Sequence, residues 1–218
     1  GLISRMKDVA RETSRVITAL KNVSGGTAQF ADNLKFLNSL AHKYGLGINI
    51  LTGAYAKFTA SATNAGVSIE NQKKIFESVS RANAAFALSS DESSGVMLAL
   101  SQMMGKGKIS SEELRKQMGE KLPVAMAAMA KAAGTTIGGL EPLLKQGKLM
   151  AADILPKFAD ALNEIIPNVD TDNIESSLNR LSNMFNKFTE EVGIGAKFKV
   201  IVDEFTALIE IASKNIHN

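Results

Sequence analysis

Two histidines, His42 and His217, are the only side chains in this sequence whose ordinary pKa lies near neutrality. Neither has an Asp or Glu three or four residues away, the spacing that would set a metal ligand or acid–base partner on the same helix face. The chain has no cysteine, so disulfides, thiolate zinc sites and cysteine nucleophiles are excluded. Glu112, Glu113 and Glu120 crowd one stretch, whereas glycoside hydrolysis needs two carboxylates in different environments. Glu112 and Glu113 suit the first turn of a helix instead. Gly105-Lys106-Gly107-Lys108, followed by Ser110-Ser111, has the composition of a phosphate loop. It lacks the Gly-x4-Gly-Lys-Ser/Thr spacing and follows a helical pattern rather than a strand. Lys106, Lys108, Arg115, Lys116, Lys121 and Lys131 outnumber the three glutamates across the same stretch. No aromatic residue interleaves with them for stacking on single strands, so they read as a solvated helix face and no specific nucleic-acid partner is expected. Met97, Met103, Met104, Met118, Met126 and Met129 read as core packing, with a plastic partner-binding surface as the alternative. No catalytic, cofactor-binding or metal-ligating residue is assigned, no cofactor is expected, and the chain reads as non-enzymatic.

The elements behind these residues are helices. The composition is 45% hydrophobic and 22% charged, with a net charge of +3 and no Trp, which suits a folded chain with a real core. No apolar run approaches the ~18 residues needed to span a bilayer. The chain opens on Gly1 and has no signal-peptide layout, so it reads as a segment of a larger protein.

Leu2, Met6, Val9, Thr13, Val16 and Leu20 recur at 4-3-4-3-4 spacing, the stripe that seats one helix on another. Its outer face is solvated and holds i,i+3 pairs Asp8–Arg11 and Glu12–Arg15, with an oligomerising or docking helix as the sharper reading. Gly25-Gly26 ends this helix, and Thr27 can cap the next. Phe30, Leu34, Leu37, Leu40 and Ala41 mark a second helix that Gly45 and Gly47 stop. Ile50, Leu51, Ala54, Tyr55 and Phe58 mark a third, and Ser68 opens a fourth buried at Ile75, Phe76, Val79, Ala82 and Phe86. Ser89 with Glu92, and Ser110 with Glu113, have capping-box spacing. Pro123 breaks the pattern, which resumes over 124–133 up to Gly134. Short helices follow, one with Pro142 in its first turn and one opening near Asp153 with Pro156 early in it. Asp172 and Glu175 can cap a further helix carrying Leu178, Leu181, Met184, Phe185 and Phe188; Gly193 and Gly195 break it, and a last helix covers 197–213.

One internal echo stands out. Met103-Met104-Gly105-Lys106-Gly107-Lys108-Ile109 matches Leu143-Leu144-Lys145-Gln146-Gly147-Lys148-Leu149 at an offset of 40 residues, continuing through Glu113-Leu114 over Asp153-Ile154 and Leu122 over Leu162. It predicts two similar helical hairpins packed together, although helix–Gly–helix joints resemble each other in any case because Gly closes many helices. The fold class is therefore all-α: a compact multi-helix domain of short antiparallel helices and helical hairpins. We divide it into a leading amphipathic helix (1–26), a helical domain (27–168) and trailing helices (169–218).

Three stretches carry a resemblance. They are Tyr55-Ala56-Lys57-Phe58-Thr59-Ala60-Ser61-Ala62 with Asn64-Ala65-Gly66 and Ile75-Phe76-Glu77; the run from Leu98 to Pro123; and Leu155-Pro156-Lys157-Phe158-Ala159-Asp160-Ala161-Leu162. The most specific part is Gly107-Lys108-Ile109-Ser110-Ser111-Glu112-Glu113-Leu114, followed eight residues later by Leu122-Pro123. Together they resemble the N-terminal domain of phage and prophage tail tape measure proteins, more weakly over 27–53 and over 179–185. Thr135-Thr136-Ile137-Gly138-Gly139-Leu140-Glu141-Pro142 departs from that likeness, since similar proteins keep a more regular helix start there. The resemblance implies a structural protein of the virion tail that sets tail length during assembly. It implies partners among tail proteins (tube, assembly chaperones, tail tip), and self-association stays open. It also implies a place inside the tail tube after synthesis in the bacterial host cytoplasm. The alternative is a helical adaptor or scaffold domain that binds a partner protein and has no viral role.

Overall fold

The computed structural model describes residues 2–169, 179–180 and 182–183, with side chains from Asp8 onward. The expectations for Asp172, Glu175, Leu178, Leu181, 184–213 and His217 lie outside the described residues. Among the described residues the regular elements are all helices, joined by turns, with one isolated bridge between Lys108 and Met150. The helices are α1 (Leu2–Val23), α2 (Thr27–Tyr44), α3 (Ile48–Asn64), α4 (Ile69–Ala85) and α5 (Ser90–Lys106), then a π helix (Glu112–Gly119), α6 (Ala125–Ala132), α7 (Ile137–Lys145) and α8 (Ala151–Ile165). The all-α expectation holds.

Two helices act as hubs. α3 takes α1 and α5 on its flanks and α2 beside them, while α8 lies against α6 and α4. α4 joins the two groups, because it also packs on α2, α3 and α5. The apolar spacing of each helix explains this arrangement. Tyr55 and Phe58 on α3 meet Phe76 on α4, with the Tyr55 and Phe76 rings 5.0 Å apart at 74° and Phe36 of α2 adding a third contact 5.6 Å from Tyr55. Such edge-on ring pairs add to the burial itself. Burial pushes the Tyr55 phenol up to about 12.

Polar side chains fix the short connections. Gln72 is buried on α4; its amide donates to the Val67 carbonyl at 2.8 Å and the Thr63 hydroxyl at 3.2 Å, and it accepts from Thr59. One side chain thus ties α3, the turn and α4. Asn33 does the same between α2 and α1, donating at 3.0 Å to Ser24, whose hydroxyl donates to the Leu20 carbonyl at 2.6 Å. Further along, Asn183 reaches back to the α2–α3 turn, donating to the Leu46 carbonyl at 2.8 Å and accepting from the Ile48 amide at 2.9 Å.

The capping expectations divide. Ser68 accepts from the Asn71 amide, and Ser89 with Glu92 forms a full capping box that holds the Glu92 carboxyl below its ordinary range. Thr27, however, is the first residue of α2 and makes no cap, because Gly26 occupies the preceding position. Ser110 and Glu113 do not form a box at the helix start; the Ser110 hydroxyl donates directly to the Glu113 carboxylate. Pro142 lies well inside α7, which begins at Ile137 under a Thr136 cap rather than at the proline. Pro123 does break the chain between the π helix and α6. Phe86, expected on the buried face of α4, is at its C-terminal end and exposed.

Candidate functional site

Two features concentrate what the sequence singled out: the joint after α5 and an open groove on α3. The joint begins where Gly107 adopts φ +72° and closes α5; its counterpart Gly147 adopts φ +61° after α7. A side chain is strained in that conformation, so glycine is required at both. The two joints then pair with each other. The Ile109 amide donates to the Leu149 carbonyl at 2.8 Å, and the Ala151 amide to the Gly107 carbonyl at 3.0 Å. In this antiparallel register Ile109 lies opposite Leu149, the residue it matches in the 40-residue echo. Matched positions are buried alike: Met104 and Leu144, Ile109 and Leu149, Leu114 and Ile154, Met118 and Phe158, Leu122 and Leu162. The echo is therefore a repeat in space, although only its first copy forms a packed hairpin. α5 lies along the π helix, whereas α8 leaves α7 and packs on α6 and α4.

Glu113 sits in the first turn of the π helix, as expected, but it is buried. It is 2% exposed, and Lys106 donates to it at 2.5 Å across the turn from the end of α5. That hydrogen bond holds the Lys106 ammonium above its ordinary pKa. The signal for the contact was present as an acid and a base seven residues apart across a helix-closing Gly, but its burial could not be read from spacing. Two more residues of the basic stretch link elements, and a third bonds locally. Arg115 pairs with Glu141 of α7 at 2.9 Å, Lys131 pairs with Glu164 of α8, and Lys121 donates to the Gln117 carbonyl at 3.2 Å. The six methionines take the packing reading: five are buried and Met126 packs against the core. His42 lies exposed on α2. Among the described residues no group of three or more His, Asp or Glu could hold a metal, and no helix is long and apolar enough to cross a membrane.

The groove, about 760 Å³, runs between α1 and α5 over α3. Small residues form its floor, among them Ala19, Gly53, Ala54 and Ala60, and Leu98 stands at its edge 44% exposed. Gly53 is small for a reason: a Cβ there would stand 3.1 Å from Val16 of α1. Arg15 and Lys57 flank the groove against the single carboxylate of Glu12. The described part of the α1 stripe is thus used within the chain, through Val16 and Leu20, while its far edge stays open.

Among the described residues, the joint and the groove are the features that stand out. A family model described as tape measure protein matches residues 4–193. The chain belongs to the tape measure protein family. A tape measure relative, named "Probable tape measure protein" in Salmonella phage Felix O1 (isolate Felix O1-VT1), is 32% identical over 131 residues, covering 60% of this chain. The chain spans 18% of that relative's length. No solved structure matches this tape measure chain significantly. The family is one of structural phage proteins.

Proposed function

We propose that this chain is the compact head of a tape measure protein, a structural component of the phage tail that sets tail length during assembly. The measuring length then belongs to other parts of the parent protein. One observation supports the division: in a chain of this family, every described helix is 8–22 residues long and folds back on its neighbours. A ruler gains ~1.5 Å per residue only where helix is extended, and these helices bury their apolar faces on each other instead.

In this reading residues 27–168 are the head proper, 1–26 the leading helix, and 169–218 the passage into the rest of the protein. The partners are other tail proteins, namely tube, assembly chaperones and tip, and the product resides in the tail tube after synthesis in the host cytoplasm. The groove over α3 suits an amphipathic helix of such a partner, with a narrow apolar side for the Ala-rich floor and carboxylates facing Arg15 and Lys57. No catalytic step is part of the reading. Removing residues 27–168 in frame from the parent gene tests it: electron micrographs should show tails absent or irregular. Tails of normal number and regularity would overturn the assignment.

A further inference from the structure

Away from the joints and the groove, three buried polar atoms converge on one small cavity. Asn83 of α4 is 0% exposed, and neither its amide oxygen nor its amide nitrogen has a partner in the protein. Ser93 of α5 is 4% exposed, and its hydroxyl is likewise unpartnered. Both side chains line the same cavity, whose remaining wall includes Leu46, Leu51, Met97 and Asn179. Buried amides and hydroxyls are costly unless hydrogen-bonded, and although Ser90 and Asn179 also line the cavity, no protein group bonds to these three atoms.

Size decides what can answer them. The cavity holds about 10 Å³, at the lower bound of what one water needs and too small for any organic ligand or ion with its shell. A buried water makes two to four hydrogen bonds. Asn83 Oδ1 can accept one, Asn83 Nδ2 can donate one, and the Ser93 hydroxyl can do either. We propose that Asn83 and Ser93 hold a single structural water between α4 and α5, beneath the α2–α3 turn. The water links the first turn of α5 to α4, where the only covalent connection is the short segment from Phe86 to Ser89. This assignment does not depend on the family or on the proposed role in the tail.

A crystal structure of the 218-residue chain at about 1.8 Å tests it. The expected result is one solvent peak at hydrogen-bonding distance, about 2.7–3.2 Å, from Asn83 and Ser93 together. An empty cavity, or an Asn83 amide bonded directly to Ser93 or to backbone, overturns the proposal. Thermal melting adds a reading of opposite sign for the two cases. With a bridging water, Asn83→Leu strands the Ser93 hydroxyl and should lower the melting temperature by about 2–4 °C, and adding Ser93→Ala should recover part of the loss. With a dry cavity, Asn83→Leu removes an unsatisfied amide and the melting temperature rises. If Asn83→Leu does not fold, Ser93→Ala alone and the density in the unaltered chain still decide the matter.

Discussion

The two glycine joints share a pattern and differ in outcome. Over residues 103–122 and 143–162 the left-handed glycine and five apolar positions correspond, and in each pair both residues are buried. The polar positions do not correspond. Where the first joint has Lys106, Ser110 and Glu113, the second has Gln146, Met150 and Asp153, all exposed. The first therefore closes on a buried carboxylate and enters a π helix along α5, while the second enters an ordinary α helix that leaves for α6 and α4. Apolar pattern and glycine determine that the chain turns and what it buries. The direction of the next helix goes with the side chains around the turn.

Matched substitutions test the difference between the two joints. The largest effects fall at the shared core: Phe158→Ala should cost about 3–5 kcal/mol and Met118→Ala about 2–5 kcal/mol, measured by urea unfolding. A loss near zero at either position would mean that its joint is peripheral to the core. Next come the unmatched carboxylates. Glu113→Ala removes a buried acceptor and should cost about 1–3 kcal/mol, whereas Asp153→Ala at the exposed equivalent should change stability by about 0.5 kcal/mol or less. Equal losses would erase the distinction drawn between the joints.

Gly119 and Ala159 occupy equivalent positions in the two winding modes. A Cβ on Gly119 would stand 2.9 Å from the Leu114 carbonyl oxygen five residues back, which is backbone and cannot swing aside. Gly→Ala inside a helix ordinarily stabilises by about 1 kcal/mol; here Gly119→Ala should destabilise by a similar or larger amount. Ala159→Gly, in plain α winding, should lose about 1 kcal/mol. A gain for Gly119→Ala would show that the π winding is dispensable.

The smallest effect is pH-dependent and lies at the start of α5. The backbone and side-chain hydrogen bonds from Ser89 depress the Glu92 carboxyl below its ordinary value of 4.5. A folded-state pKa below the unfolded one gives stability that is present above the unfolded value and lost as pH falls through the folded value. Glu92→Gln, which keeps the size but does not ionise, should therefore flatten the acid limb of a melting-temperature profile below about pH 4.5 and leave the neutral region offset but parallel. An unchanged acid limb would mean that Glu92 contributes nothing to the acid dependence of stability.

Much of this was legible in the sequence. The 3.6-residue apolar spacing marked α1 to α4, the Ser89–Glu92 capping spacing marked the start of α5, Gly45, Gly107 and Gly134 stopped helices, Ser68 capped α4, and Pro123 broke the chain. What escaped depends on tertiary surroundings. Nothing in Ser110-Ser111-Glu112-Glu113 distinguishes a capping box from a buried carboxylate under Lys106, because both need the same residues at the same spacing. Pro142 was misread because proline favours a first turn, and the Thr136 cap that fixes the true start lies six residues earlier. The repeat was visible as text, but the pairing of Ile109 with Leu149 across the bridge required the fold.

We propose that these residues form a folded head and that length is measured elsewhere in the parent protein. The first test is tail length by electron microscopy, after an in-frame deletion of about 70 residues from a predicted helical rod elsewhere in the parent. Tails should shorten by roughly 105 Å, at ~1.5 Å per residue removed, with assembly otherwise intact. Tails of unchanged length would contradict the claim.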